Sequence, residues 1–216
     1  MAYKIGFLKQ KGGCGASTYA RITVREYAMA DWVVQLADMD SGQNTSSEWM
    51  LWRKETGNDS PQLEVNQYTR VDDALKDEDH YDLITFDGRP RATALTLEIA
   101  RVCDLIVIST GLSKEDMNPQ IRLAHELKQK GIAPERMCFV LFRTGDSKAE
   151  IRDSREYIET AGYTVLEPHL PERTGYRRAS DVGLCATETQ YPSLNRTARS
   201  VAQAIIDRFE EVTGPS

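Results

Sequence analysis

Apolar residues along this chain gather in short, nearly unbroken runs, and between the runs they spread out to helical spacing. "YKIGFLK" at 3–9, "WVVQLAD" at 32–38, "YDLITFD" at 81–87, "CDLIVIST" at 103–110 and "RMCFVLF" at 136–142 read as strands. Such runs suit parallel strands covered by helices on both faces. "LEVNQ" at 63–67 reads as a shorter strand, and "YTVLEPHLP" at 163–171 as a final short strand and turn. Helices are expected at 17–30, through "VDDALKD", and at 119–130, 148–161 and 194–212, with a short one around "SSEWMLWRK". The alternation predicts the α/β class: one mostly parallel twisted sheet with helices on both faces. No repeat, low-complexity tract or linker interrupts it. Residues 1–216 are therefore expected to form one domain, with 213–216 a frayed tail.

Composition changes this picture little. The chain has 216 residues, 28% charged and 40% hydrophobic, and its net charge of −6 lacks the whole-domain basic footprint of a nucleic-acid binder. A local basic face remains compatible with it. No apolar run approaches the roughly 18 residues that span a membrane, and the chain enters its first strand without a leader-like segment. Cys14, Cys103, Cys138 and Cys185 are far apart and lack C-x-x-C spacing, and His80, His125 and His169 are scattered. Neither a zinc site nor a disulfide framework is expected, and the cytoplasm is the expected compartment.

The candidate chemistry begins at "KQKGGCGAST", residues 9–18. Gly12, Gly13 and Gly15 stand between a strand and a helix. Glycines there let the backbone turn tightly, so that its N–H groups and the helix N-terminus face an anion. Ser17 stands where a phosphate loop carries the hydroxyl that reaches Mg²⁺, with Thr18 after it. The residue between Gly15 and Ser17 is Ala16, where such a loop carries the lysine that neutralises the β- and γ-phosphates. Ala16 is either a natural departure or an introduced replacement of lysine; the upkeep of the surrounding motif points to replacement. Asp38, Asp40 and Asp87 are expected at carboxyl ends of strands, which form the ligand crevice of an open parallel sheet. Taken singly, each could equally cap the turn that follows it.

"KGGCGAS", led by Lys11, resembles the deviant Walker A box of the ParA/MinD family of P-loop ATPases. "LADMDSGQNTS" is similar to that family's strand-end acidic segment, with Ser41 and Gly42 in place of Pro-Gln, and "YDLITFDGRP" to its Walker B stretch, with Arg89 in place of a small residue. "VLEPHLPERTGYRRASDVGLCATE" resembles its base-side loop and helix. The resemblance implies a single-domain P-loop NTPase fold closest to short ParA partition proteins, binding ATP/ADP and Mg²⁺. It implies nucleotide contact by Gly12, Gly13, Cys14, Gly15, Ala16, Ser17, Thr18 and Pro171. Ser17, Asp38 and Asp87 would support the metal. Lys11 would reach a partner's ATP across a homodimer, and Asp40 would orient the hydrolytic water. It further implies non-specific DNA binding, a nucleoid-associated location and a ParB-like or centromere-binding adaptor.

Arginines cluster late, and Arg173, Arg177, Arg178, Arg196 and Arg199 are the candidates for a DNA face; a solvated helical face is the bland reading. Trp49 and Trp52 are expected to pack on the sheet, with a partner surface as the alternative. A membrane role is disfavoured, because the C-terminal "DRFEEVTGPS" is acidic and polar where a membrane-lying helix is basic and apolar. The sequence also admits an orphan relative that positions a protein cargo, and a non-hydrolysing nucleotide-dependent scaffold with Ala16 native.

Overall fold

Each long apolar run becomes a strand closed on both faces. The computed structural model describes residues 1–42, 45–58, 60–91 and 93–214. In chain order they form β1 (Tyr3–Leu8), α1 (Ala16–Met29), β2 (Val34–Asp38), α2 (Thr45–Glu55), β3 (Glu64–Gln67), α3 (Val71–Ala74), β4 (Leu83–Asp87) and α4 (Ala94–Val102). They continue with β5 (Leu105–Thr110), α5 (Lys114–Gln129), β6 (Met137–Thr144), α6 (Lys148–Thr160), β7 (Thr164–Val165), β8 (Leu170–Pro171), α7 (Thr174–Ser180) and α8 (Pro192–Thr213).

The strands form one sheet in the order β3-β2-β4-β1-β5-β6-β7, with β8 also paired to β6, and every pairing is parallel. Parallel neighbours need crossover connections, and the helices supply them. Two apolar clusters result, one on each face. Ile84, Phe86, Ile99, Leu123 and Ile158 lie in the first, and Phe7, Tyr19, Trp49, Val201 and Phe209 in the second.

The structure departs from the sequence reading at three places. The sequence reading puts no element between 87 and 103, yet α4 lies there. Thr93 caps it, accepting from the Thr96 amide, and Leu95, Ile99 and Ala100 are buried at the spacing of one helical face. The helix expected from 119 begins at Lys114 instead, because the Ser113 side chain accepts from the Asp116 amide and starts it earlier, leaving Pro119 inside. The single strand expected within 163–171 divides into β7 and β8, both beside β6. Of the expected frayed tail, Thr213 closes α8, and Pro215 and Ser216 lie outside the described residues. Trp49 is fully buried, whereas Trp52 is 40% exposed.

Candidate functional site

β1 and β4 pair with Phe7 opposite Asp87, and β4 and β2 with Asp87 opposite Asp38. This register carries the end of β1 and both acids to one edge of the sheet. The loop that follows β1 turns through Gly13 at φ 78° and Gly15 at φ 94°, a left-handed region that disfavours side chains. Gly15 precedes the first residue of α1, and its carbonyl accepts from the Tyr19 amide at 3.0 Å. A Cβ on Gly15 would stand 2.4 Å from the Phe142 ring, so β6 closes on the loop there. Ala16 is buried in the apolar cluster beneath α1.

The polar network beside the loop is dense. Lys9 is the first residue past β1, and its Nζ donates to Ser17 Oγ (3.2 Å) and pairs with Asp87 Oδ1 (3.3 Å). Ser46 Oγ donates to Asp87 Oδ2 at 2.7 Å. Asp38 Oδ2 accepts from the Ser46 amide (3.1 Å), the Ser47 amide (2.9 Å) and Ser47 Oγ (3.0 Å), and its Oδ1 accepts from the Asp40 amide (3.1 Å). Asp38 thus holds the first turn of α2 as a cap would. Burial, and then the nearby Asp87 charge, push its carboxyl above the usual range, against the pull of the Ser47 and Asp40 amides. Asp40 Oδ1 accepts from the Gly42 amide at 3.3 Å. Gln43 and Asn44, the rest of that acidic segment, lie outside the described residues.

Arg21 is a component that the sequence reading did not single out. It is buried on α1, donates from Nε to Ser46 Oγ (3.3 Å) and from Nη2 to the Thr45 carbonyl, and stacks 5.1 Å from the Trp49 ring. Burial lowers its pKa, with Asp87 opposing. Its spacing was the available signal: Arg21 is four residues past Ser17, hence on the same helical face. Lys9 was legible only as a charge ending an apolar run.

Lys11 points the other way. It is half exposed and pairs with Asp116 Oδ1 at 2.6 Å, a contact that raises its pKa. Burial opposes the effect on Asp116, yet its Lys11 and Ser113 bonds hold that carboxyl below the usual range. Lys11, Gly12, Gly13 and Cys14 line a cavity of about 310 Å³ with Asp116 and Arg143. A second cavity of about 450 Å³ opens beside Thr18 and is walled by Pro171, Tyr176 and Arg173. Phe142 lines both, standing between them.

Arg177 and Arg178 lie on α7, with Arg173 just ahead of it, and Arg196 and Arg199 lie on the adjoining α8. Tyr176 of α7 donates to the Leu194 carbonyl of α8 at 2.9 Å, joining them. Arg173 pairs with Asp146 at 2.5 Å, and Arg177 pairs with Glu172. Arg178, Arg196 and Arg199 are exposed and make no ion pair among the described residues.

No family model matches the chain, and no curated protein matches it in sequence. Its fold is nonetheless found in solved structures. The cell division ATPase MinD of Pyrococcus furiosus superposes with a TM-score of 0.75 at 17% identity, over 96% of this chain and 99% of that one. The septum site-determining protein MinD of Pyrococcus horikoshii, complexed with Mg-ADP, gives 0.70 at 20%, over 98% and 96%. A ParA family ATPase of Chlorobium tepidum gives 0.62 at 18%, over 94% and 99%. The fold of this chain is the P-loop fold that these ATPases share, as the motifs imply.

Proposed function

We propose that this chain is a ParA-type partition ATPase, a switch that binds ATP, dimerises and holds DNA non-specifically. One observation carries the reading: a loop with two left-handed glycines opens α1 beside the Asp38 and Asp87 strand tips. Backbone amides and a helix N-terminus there suit a polyphosphate, and the base would lie toward Thr18 and Pro171 in the larger cavity. A structure of the same fold that holds Mg-ADP supports the nucleotide class.

Magnesium fits by donor chemistry. Ser17, Asp38 and Asp87 offer the hard oxygens it prefers, with the Lys9 ammonium now standing between Ser17 and Asp87, and among the described residues no group of three or more His, Cys, Asp or Glu is arranged to hold a metal alone. Phosphate oxygens would therefore complete its shell. When bound it supplies charge to the outer phosphates. Asp40 would orient the attacking water, and Lys11, freed from Asp116, would reach the partner's phosphates. Nucleotide would shift the population toward the dimer. Dimerisation would double the Arg196 and Arg199 patch, giving weak, salt-sensitive DNA binding without base readout. A ParB-like adaptor would act on this DNA-bound form, in the cytoplasm and at the nucleoid.

Ala16 favours a second reading, a nucleotide-dependent scaffold that does not hydrolyse. Restoring the lysine separates the two. Ala16→Lys is expected to turn over ATP in the presence of DNA, and no turnover under any condition would leave the scaffold. ATP titration by calorimetry, with light scattering for the dimer, tests what both share. Reversing Arg196 and Arg199 to Glu should cut DNA retention and flatten its salt dependence; unchanged retention moves the DNA face elsewhere.

A further inference from the structure

A phosphate loop without its lysine still has to balance the charge of the outer phosphates. The structure brings a different lysine to the loop. Lys9 leaves β1 two residues ahead of Lys11, and its side chain is only 7% exposed. Its ammonium lies between the Ser17 hydroxyl at 3.2 Å and the Asp87 carboxylate at 3.3 Å. Those are the two oxygens that the phosphate-loop pattern commits to a divalent ion. An ammonium carries three N–H donors, and two are engaged here among the described residues. The third is left for an acceptor. The buried side chain of Ala16, at the start of α1, has no donor to offer.

Lys9 and Arg21 are the buried cations beside the Asp38, Asp40 and Asp87 carboxyls, and of the two it is Lys9 that is bonded to the loop's serine. Burying an ammonium is costly, and Asp87 already accepts from Ser46 Oγ at 2.7 Å. A purely structural pair would not require that its ammonium border the loop's serine.

We propose that Lys9 is the resident cation of this phosphate site. It turns its remaining N–H to the outer phosphates of ATP and supplies the charge that Ala16 lacks. Because it occupies the ground between Ser17 and Asp87, ATP binds nearly as well without magnesium as with it. This rests on the ATP reading above.

The decisive measurement needs no variant. ATP is titrated calorimetrically into the full chain in magnesium buffer and again in EDTA. The two affinities are expected to agree within about threefold. Weakening by tenfold or more in EDTA keeps the nucleotide reading and overturns the role of Lys9. No binding in either buffer overturns both. Lys9→Met, with its fold checked by circular dichroism, is expected to lose tenfold or more in EDTA, a change of about 1.4 kcal/mol per decade. Adding Ala16→Lys to Lys9→Met is expected to restore most of that loss. If Lys9→Met melts lower yet binds ATP as the parent does, Lys9 is a structural pair only and the proposal falls. Should Lys9→Met fail to fold, the two titrations of the unmodified chain decide alone.

Discussion

The two ends of the crevice hold their charges in opposite ways. At the end proposed to take phosphate, Lys9, Arg21, Asp38, Ser46 and Asp87 are all buried, and they form one connected chain of hydrogen bonds. At the end proposed for the base, Arg173 and Arg177 meet Asp146 and Glu172 with their side chains 41% and 53% exposed. Water screens the second set, and such pairs contribute little. It cannot screen the first, where losing one partner leaves a bare charge in a low dielectric. The first end is accordingly preorganised by the sheet, and the second is held by pairs that contribute little.

Four measurements would break or sharpen that contrast. The largest effect is expected from Asp87→Ala, which strips Lys9 and Ser46 of a shared partner. It should cost about 3–5 kcal/mol in chemical denaturation. A loss under about 1 kcal/mol would mean that the phosphate end is not a mutually dependent network.

Gly15→Ala comes next, because it bears on both ends. The new Cβ meets the Phe142 ring at a backbone angle that side chains disfavour, so about 1–3 kcal/mol should be lost along with ATP binding. Adding Phe142→Ala should recover part of the nucleotide affinity. If it recovers nothing, the backbone angle alone accounts for the defect.

The pH response is smaller and has a definite sign. The Asp38 carboxyl is raised above its unfolded value, chiefly by burial, so the folded state takes up its proton more readily. Its contribution to stability is fully present below the unfolded pKa and is lost as pH rises through the folded one. Relative to Asp38→Asn, the unmodified chain should therefore gain in melting temperature as pH falls through that window. A constant difference across it would argue against a strained carboxylate.

Smallest of all, Arg173→Ala should change stability by less than about 1 kcal/mol, as exposed pairs do. A larger drop would place the base-side arginines in the same class as Lys9 and Arg21 and erase the contrast.

Local signals made much of this legible. The apolar runs announced the strands, the three glycines marked the turn into α1, and acids closing two runs marked the crevice edge. The α4 helix was missed although its signals were there: Thr93 precedes it, Thr96 completes the cap, and Leu95 and Ile99 share a face. Lys9 and Lys11 were not separable in this way. Both are lysines in the same short loop, and nothing in "KQKGG" says which turns inward.

By itself, then, the sequence determined the order of the longer strands and of the helices other than α4, their parallel character and the position of the glycine turn. These depend on periodicity and backbone freedom, which neighbours along the chain control. Only the tertiary structure decided which lysine faces the acids and which Asp116 draws outward, and that Arg21 joins them. Those outcomes depend on partners 78, 105 and 25 residues away, met only once β1 and β4 pair and α1 and α5 settle against the sheet.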